Sequence, residues 1–200
     1  MIALDDFGRA QAVSTRLWTA VRRARGPLPP TLEWTHIPGA FTLEELAVLM
    51  QGLPLGGNRP SEQTVALVDG DQFNRESNEH RIGEAYRRKP RTQLFESIGV
   101  QSGGWAAQAE VLLARLARCS VVCDMYVSYT GDASMDPHID AWYGVILQVF
   151  GAKTWTLWNE DGNPHEVTTN AGDILLLPRG VTHAINTPHY SVHVVFGLMT

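Results

Sequence analysis

Thiols are scarce in this chain of 200 residues: Cys119 and Cys123 are the two cysteines. Their spacing is not C-x-x-C, so neither a disulfide scaffold nor a dithiol or two-cysteine zinc centre is expected. Both read as small apolar core residues. No window approaches 18 unbroken apolar residues, which argues against a helical membrane span. The opening stretch MIALDDFGRAQAV lacks the basic start and apolar core of a secretory leader. A reducing, cytoplasmic setting is the expectation. Positive charge is also in short supply. Lys and Arg number 16 against 21 Asp and Glu, a formal net charge of -5, whereas phosphate binding calls for a basic face. No nucleic-acid partner is expected, and the local basic stretch Tyr86–Arg91 reads as a solvated helix end. What the chain does have is 44% apolar and 18% charged residues, enough to bury the core of one domain.

Two textures divide the sequence. Residues 1–118 read as helices and loops packed on the C-terminal part. Ile2 to Arg25 carries Leu4, Phe7, Val13, Leu17, Trp18 and Val21 at helical spacing and ends at GPLPP. Thr42-Leu43-Glu44-Glu45 has the form of a capping box opening a short helix. Thr64 to Val68 is a candidate strand, and polar Ser77 to Arg91 is a helix or a loop. Asp69 to Arg91, which includes it, is polar and a candidate substrate-covering loop. Gly104 to Arg118 is amphipathic, with Trp105, Ala109, Leu112, Leu113 and Leu116 on one face. Residues 119–200 change to short β-rich runs (SVVCDMYVSYT, YGVILQVFG, KTWTLW, HEVTT, GDILLLP, THAIN, YSVHVVFGLM) separated by Gly, Asp and Pro turn signals. Strands at this spacing suggest a compact barrel or jelly roll. The expected fold is mainly β with N-terminal helices, forming one compact unit.

Chemistry concentrates in MDPHIDAWYGVILQVFGAKTWTLW, residues 135–158. His138 and Asp140 lie two apart, and in extended chain residues i and i+2 share a side. Alone they are either half of a metal site or a polar loop. A two-histidine, one-carboxylate set suits a ferrous ion with open positions, and a third ligand would come from a distant strand. Among His36, His80, His165, His183, His189 and His193, the best placed is His183. It begins a strand after the tight Pro178-Arg179-Gly180 turn. Lys153 sits in an apolar and aromatic run. Facing inward it would need an anion to offset its desolvation; facing outward it would need nothing. Trp142 and Tyr143 either shape a substrate wall or pack under the helices.

Together DPHIDAWYGVILQVFGAKTWTLW, AGDILLLPRGVTHAI and HYSVHVVFG resemble the JmjC-type branch of the cupin superfamily. The pattern is nearest to the bacterial ribosomal-protein arginine hydroxylase and its ribosomal-oxygenase relatives. The resemblance covers Val121 to Gly197. It implies a double-stranded β-helix barrel (a cupin-type jelly roll) under a helical layer. It implies an oxygenase that uses Fe(II), O2 and 2-oxoglutarate as cosubstrate to hydroxylate an unactivated C–H bond. Carried over to this sequence, the metal ligands are His138, Asp140 and His183. Gln148 and Gly151 match the next strand, Lys153 grips the distal carboxylate of 2-oxoglutarate, and Trp155 follows it. Tyr129 stands where a hydroxyl residue helps hold the cosubstrate, and His189 where some relatives place an asparagine. The implied partner is a peptide, protein or amino-acid substrate, with no membrane; a homodimer is left open. Two other readings stay open: a metal-dependent cupin dioxygenase or isomerase without 2-oxoglutarate, and a non-catalytic ligand-binding cupin.

Overall fold

A computed structural model describes residues 6–25, 33–158 and 162–199. The elements run α1 (Asp6–Arg25), β1 (Thr35–Ile37), α2 (Leu43–Gln51), a 3-10 turn (Gly56–Asn58), β2 (Val65–Asp69), β3 (Gln72–Glu76), α3 (Glu79–Arg88), β4 (Gln93–Phe95), α4 (Ile98–Ser102) and α5 (Gly104–Ala117). Then come β5 (Ser120–Ser128), β6 (His138–Ile139), β7 (Tyr143–Phe150), β8 (Ala152–Trp158), β9 (Pro164–Asn170), β10 (Ile174–Leu177), β11 (Thr182–Asn186) and β12 (Ser191–Met199). An eight-stranded sheet of order β1-β10-β7-β12-β5-β4-β2-β3 lies against a four-stranded sheet of order β6-β11-β8-β9. This is the double-stranded β-helix, and its pairs are antiparallel.

The large sheet has two working faces because successive strand residues point to opposite sides. On β5, Cys123, Met125 and Val127 join the helix-side core, while Asp124 and Tyr126 turn the other way. Helix α1 supplies Ala10, Val13, Leu17 and Val21 to that core, and α5 supplies Trp105, Ala106, Ala109 and Leu113. Burial of each larger side chain stabilises by about 1.5–3 kcal/mol. Trp105 also places its indole nitrogen 2.9 Å from Leu49 O, so burial leaves no orphaned donor. The capping box holds as expected: Thr42 accepts from the Glu45 amide and the Glu45 carboxylate accepts from the Thr42 amide. Phe7 and Leu116, placed by periodicity on apolar faces, are 55% and 43% exposed. Each lies near a helix end, where the packed stripe runs out. Leu4 and the breaker at 26–30 lie outside the described residues.

The N-terminal part is more than helices and loops. Its strand β1 extends the large sheet beside β10, and β4, β2 and β3 extend the opposite edge beyond β5. Strand β2 (VALVD) is a short apolar run legible as a strand; β3 (QFNRE) is not. Its residues are largely exposed and its extended form comes from pairing with β2, context rather than propensity. The segment 69–91 is this hairpin plus α3, so it is built structure rather than a loop. Its contacts fall on the loop leading into β6. Thr92 N donates to Ala133 O at 2.7 Å, Ala133 N to Pro90 O at 3.1 Å, and Gly70 N to Ser134 O at 3.0 Å. Tyr86 donates its hydroxyl to Asp132 at 2.6 Å.

Gly151 makes the turn between β7 and β8 at φ +64, where an added Cβ would lie 1.9 Å from Tyr190 O. Backbone cannot yield cheaply there. A Gly151→Ala variant is expected to lose at least about 2 kcal/mol of unfolding free energy, since the left-handed conformation alone costs about 1–2. Urea denaturation checks this; a midpoint equal to the parent's contradicts it.

Candidate metal and cosubstrate site

Strand β11 lies between β6 and β8 and aligns His183 with His138 on one side and Leu157 on the other. The two imidazole rings stand 4.2 Å apart between centroids. Asp140 follows β6, two residues beyond His138, on the same side of the extended chain. The Asp140 oxygens face both rings: Oδ1 is 3.8 Å from His138 Nε2 and Oδ2 is 3.7 Å from His183 Nε2. One donor atom from each of the three residues falls within 4.8 Å of the others. Those separations are too long for hydrogen bonds, so the three converge without satisfying one another.

The outer nitrogens are already used. His138 Nδ1 lies 2.8 Å from Asp136 O and His183 Nδ1 3.1 Å from Val181 O. A neutral ring that donates from Nδ1 to a carbonyl keeps an acceptor at Nε2, as a metal requires. Burial, with the neighbouring His138, pushes the His183 imidazole down to about 4, so it is neutral at ordinary pH. Burial raises the Asp140 carboxyl above the usual carboxylate range despite the opposing pull of His138. That is the condition of a carboxylate lacking a cation. A divalent ion would supply it and drive ionisation. The two imidazole nitrogens and carboxylate fit a ferrous-type ion.

Lys153 is turned inward. It is 1% exposed, and its ammonium donates to Ser128 Oγ and Thr187 Oγ1, each at 2.7 Å. Thr92 Oγ1 stands 3.0 Å behind Ser128 Oγ. No carboxylate lies within ion-pairing distance of Lys153 among the described residues, and an ammonium has three protons to place. Burial pushes it down to about 7, with only partial relief from Asp132. This cradle of a cation and hydroxyls fits one end of a dicarboxylate, the cosubstrate that the resemblance implies. On the same strand face as Lys153 come Trp155 and Leu157, and on the facing strand Ile185 and His183, with Thr187 just beyond its end. The cation therefore sits two inward-facing ranks away from the histidine pair.

Tyr129 follows Ser128 in the chain, is 46% exposed, and packs its ring against Tyr190 at 4.7 Å and Tyr86 at 6.1 Å. His189 lies on the β11–β12 connection and does not line the barrel cavity. The last-strand histidine that does is His193. His36 bonds Asp173 at 2.9 Å, His80 is exposed on α3, and His165 is exposed on β9. Tyr143 packs in the helix-side core, whereas Trp142 lines the cavity and would crowd any side chain at position 197. Ser128, Thr187, Asp124, Tyr126 and His193 are site residues that sequence reasoning misses. The β5 trio at 124, 126 and 128 is accessible to period-2 reading; Thr187 is not, because it depends on β11 lying beside β8. The cavity by the triad measures about 20 Å³. A wider open groove of about 760 Å³ along α1 contains none of these residues.

Lys153 generates a pH-dependent stability with a definite sign. Its folded value of about 7 lies below the ordinary 10.5, so the unfolded chain binds the extra proton between them. The group opposes folding fully below pH 7, and the opposition fades as pH rises toward 10.5. A Lys153→Met variant is expected to be more stable than the ligand-free parent near pH 7. The difference should shrink by up to about 1.4 kcal/mol per pH unit above that. Paired chemical denaturation at pH 7 and 9.5 checks it; a constant difference contradicts it.

Comparison with known proteins agrees with this fold. A family profile described as the JmjC domain matches residues 93–200, more than half of the chain. Ribosomal oxygenase 2 of Bos taurus is 34% identical over 86 residues, covering 35% of this chain and 19% of that protein. A Dictyostelium discoideum protein named bifunctional lysine-specific demethylase and histidyl-hydroxylase NO66 is 31% identical over 99 residues, covering 38% and 19%. The chain thus spans about a fifth of the length of these curated relatives. YcfD, a ribosomal oxygenase from Escherichia coli solved in complex with cobalt and 2-oxoglutarate, superposes with a TM-score of 0.58 at 16% identity. That match covers 84% of this chain and 48% of that one. With the profile spanning the strands that carry His138 and His183, the chain belongs to the JmjC domain family.

Proposed function

We propose that this protein is a 2-oxoglutarate-dependent oxygenase that hydroxylates an amino-acid side chain in a peptide or protein. The observation that carries the reading is the fully buried Lys153, without a carboxylate partner among the described residues, inside the barrel that holds His138, Asp140 and His183. A metal-binding cupin with no anionic cosubstrate has no use for that cation. The names of the relatives, which include a histidyl-hydroxylase and a lysine-specific demethylase, support a protein side chain as substrate. Residues 1–118 and 119–200 act as one unit in this reading, and the two free thiols fit a reducing, cytoplasmic setting.

His138, Asp140 and His183 would hold the ferrous ion, oriented by the carbonyls of Asp136 and Val181. When bound, the metal with 2-oxoglutarate and dioxygen supplies the oxidative chemistry, converting the cosubstrate to succinate and carbon dioxide and inserting one oxygen atom into a C–H bond. The chain does the rest. Asp140 would bind as a carboxylate. Lys153, with Ser128 and Thr187, holds the distal carboxylate of the cosubstrate and fixes its direction along the barrel. Ile146, Trp155 and Leu157 keep water away, and Trp142 at the mouth borders the space left for the substrate.

Incubation with Fe(II) and 2-oxoglutarate against a panel of peptides and amino acids, followed by mass spectrometry, should reveal a product heavier by one oxygen atom. Substitution His183→Ala should abolish 2-oxoglutarate turnover. Substitution Lys153→Ala should weaken 2-oxoglutarate binding about a hundredfold or more while leaving Mn(II) affinity near the parent value, because it removes one partner of a buried charge pair. Unchanged 2-oxoglutarate affinity in Lys153→Ala would sink the cosubstrate assignment.

A further inference from the structure

The inward face between the Lys153 cradle and the histidine pair is occupied by an imidazole with an unpaired nitrogen. His193 is 1% exposed, its Nδ1 is buried without a hydrogen-bond partner, and it lines the same cavity as His138, Asp140 and His183. It stands opposite Tyr126, whose ring it overlies at 4.8 Å and 6°, and its edge meets Trp155 at 5.6 Å. Tyr126 is two residues from Ser128, a partner of Lys153, and Trp155 is two from Lys153 itself. His193 therefore lies one inward rank from the cation, on the side toward the triad. The register of β12 against β7 shifts at the Val192–His193 step, and such irregularities re-aim side chains beside active sites. Burial and the neighbouring Lys153 hold the ring well below its ordinary value. It is thus neutral, with one donor and one acceptor nitrogen.

Packing does not account for this residue. A buried imidazole with an orphaned nitrogen costs free energy that a phenyl ring of similar shape would not. His193 stands at the rank between Lys153 and the triad. We infer that His193 is a cosubstrate-positioning residue, its unpaired nitrogen forming a hydrogen bond to an oxygen of the carboxylate-bearing molecule seated on Lys153. The role rests on the 2-oxoglutarate reading. It extends that reading to a second residue of the large sheet, beside Ser128 on β5.

The test uses the full chain and three forms: the parent, His193→Phe and His193→Asn. Phenylalanine keeps the stack on Tyr126 without nitrogen atoms; asparagine keeps a polar group near the Nδ1 position. Titration calorimetry measures Mn(II) binding and then 2-oxoglutarate binding to the Mn(II)-loaded protein, and thermal unfolding is measured without either. His193→Phe should match the parent in Mn(II) affinity, melt at the same or a higher temperature, and bind 2-oxoglutarate about tenfold more weakly. His193→Asn should recover most of that loss. Parent-like 2-oxoglutarate binding by His193→Phe overturns the role. So does equal weakening in both variants accompanied by a lower melting temperature, which is the pattern of a packing residue. A parent that binds Mn(II) but no 2-oxoglutarate is a separate failure: it overturns the cosubstrate reading, and this inference with it.

Discussion

The register of β11 is the constraint on which the site depends. His183 meets His138 only because β11 pairs with β6 and β8 in one alignment. A slip of one residue would turn His183 outward and put Thr182 or Ala184 in its place. The alignment is held from both sides. Gly180 closes the preceding turn at φ +91, and Val181 anchors it in the small core with Trp155 and Leu157. On the other side, β6 is two residues long and cannot define its own position. The loop before it is tied down by Gly70, Tyr86, Pro90 and Thr92. The N-terminal hairpin and α3 thus position His138 from outside the barrel.

Stability and chemistry divide between the faces of the same strands. Toward the helices, β5, β7 and β12 present Cys123, Met125, Val145, Leu147, Val194 and Phe196 to one continuous apolar core. Toward the barrel interior they present Asp124, Tyr126, Gln148 and His193. That interior is costly: it holds a cation without a counter-ion among the described residues, a carboxyl pushed above its ordinary range and an imidazole with an unpaired nitrogen. The apolar face offsets these penalties, as expected where binding groups are held ready in the absence of ligand. Gln148 shows the alternative, a buried polar side chain that is fully satisfied. Its amide donates to Ser191 Oγ at 2.8 Å and Phe150 O at 2.7 Å, and its oxygen accepts from Thr169 at 3.2 Å. It joins the two sheets and has nothing left over for a ligand.

How far the sequence is legible depends on how local each signal is. The α1 and α5 helices and the Thr42 capping box rest on spacing within a single element, and the structure has them, with Phe7 and Leu116 exposed near the helix ends. The β-rich texture after residue 118 rests on alternation and turn residues, again local. Strands β1, β3 and β4 escape because their extended form comes from neighbours far away in the chain. The histidines illustrate the same limit. His189 and His193 stand four positions apart on one stretch, and periodicity cannot say which faces the barrel when the strand boundary and a register shift fall between them.

The sequence by itself determined the chemistry available: two imidazoles, a carboxylate and one lysine at spacings that an extended chain can turn to one side. It also determined the periodicities that make sheet and helix. Tertiary structure decided which of those groups meet. Pairing of β11 between β6 and β8 brought together residues 45 positions apart, His138 and His183. Closure of the two sheets made Lys153 a buried cation rather than a surface one. The physical reason is that facing and burial are properties of strand neighbours and not of the strand, so the free energy of the site exists only once the sheets have closed over it.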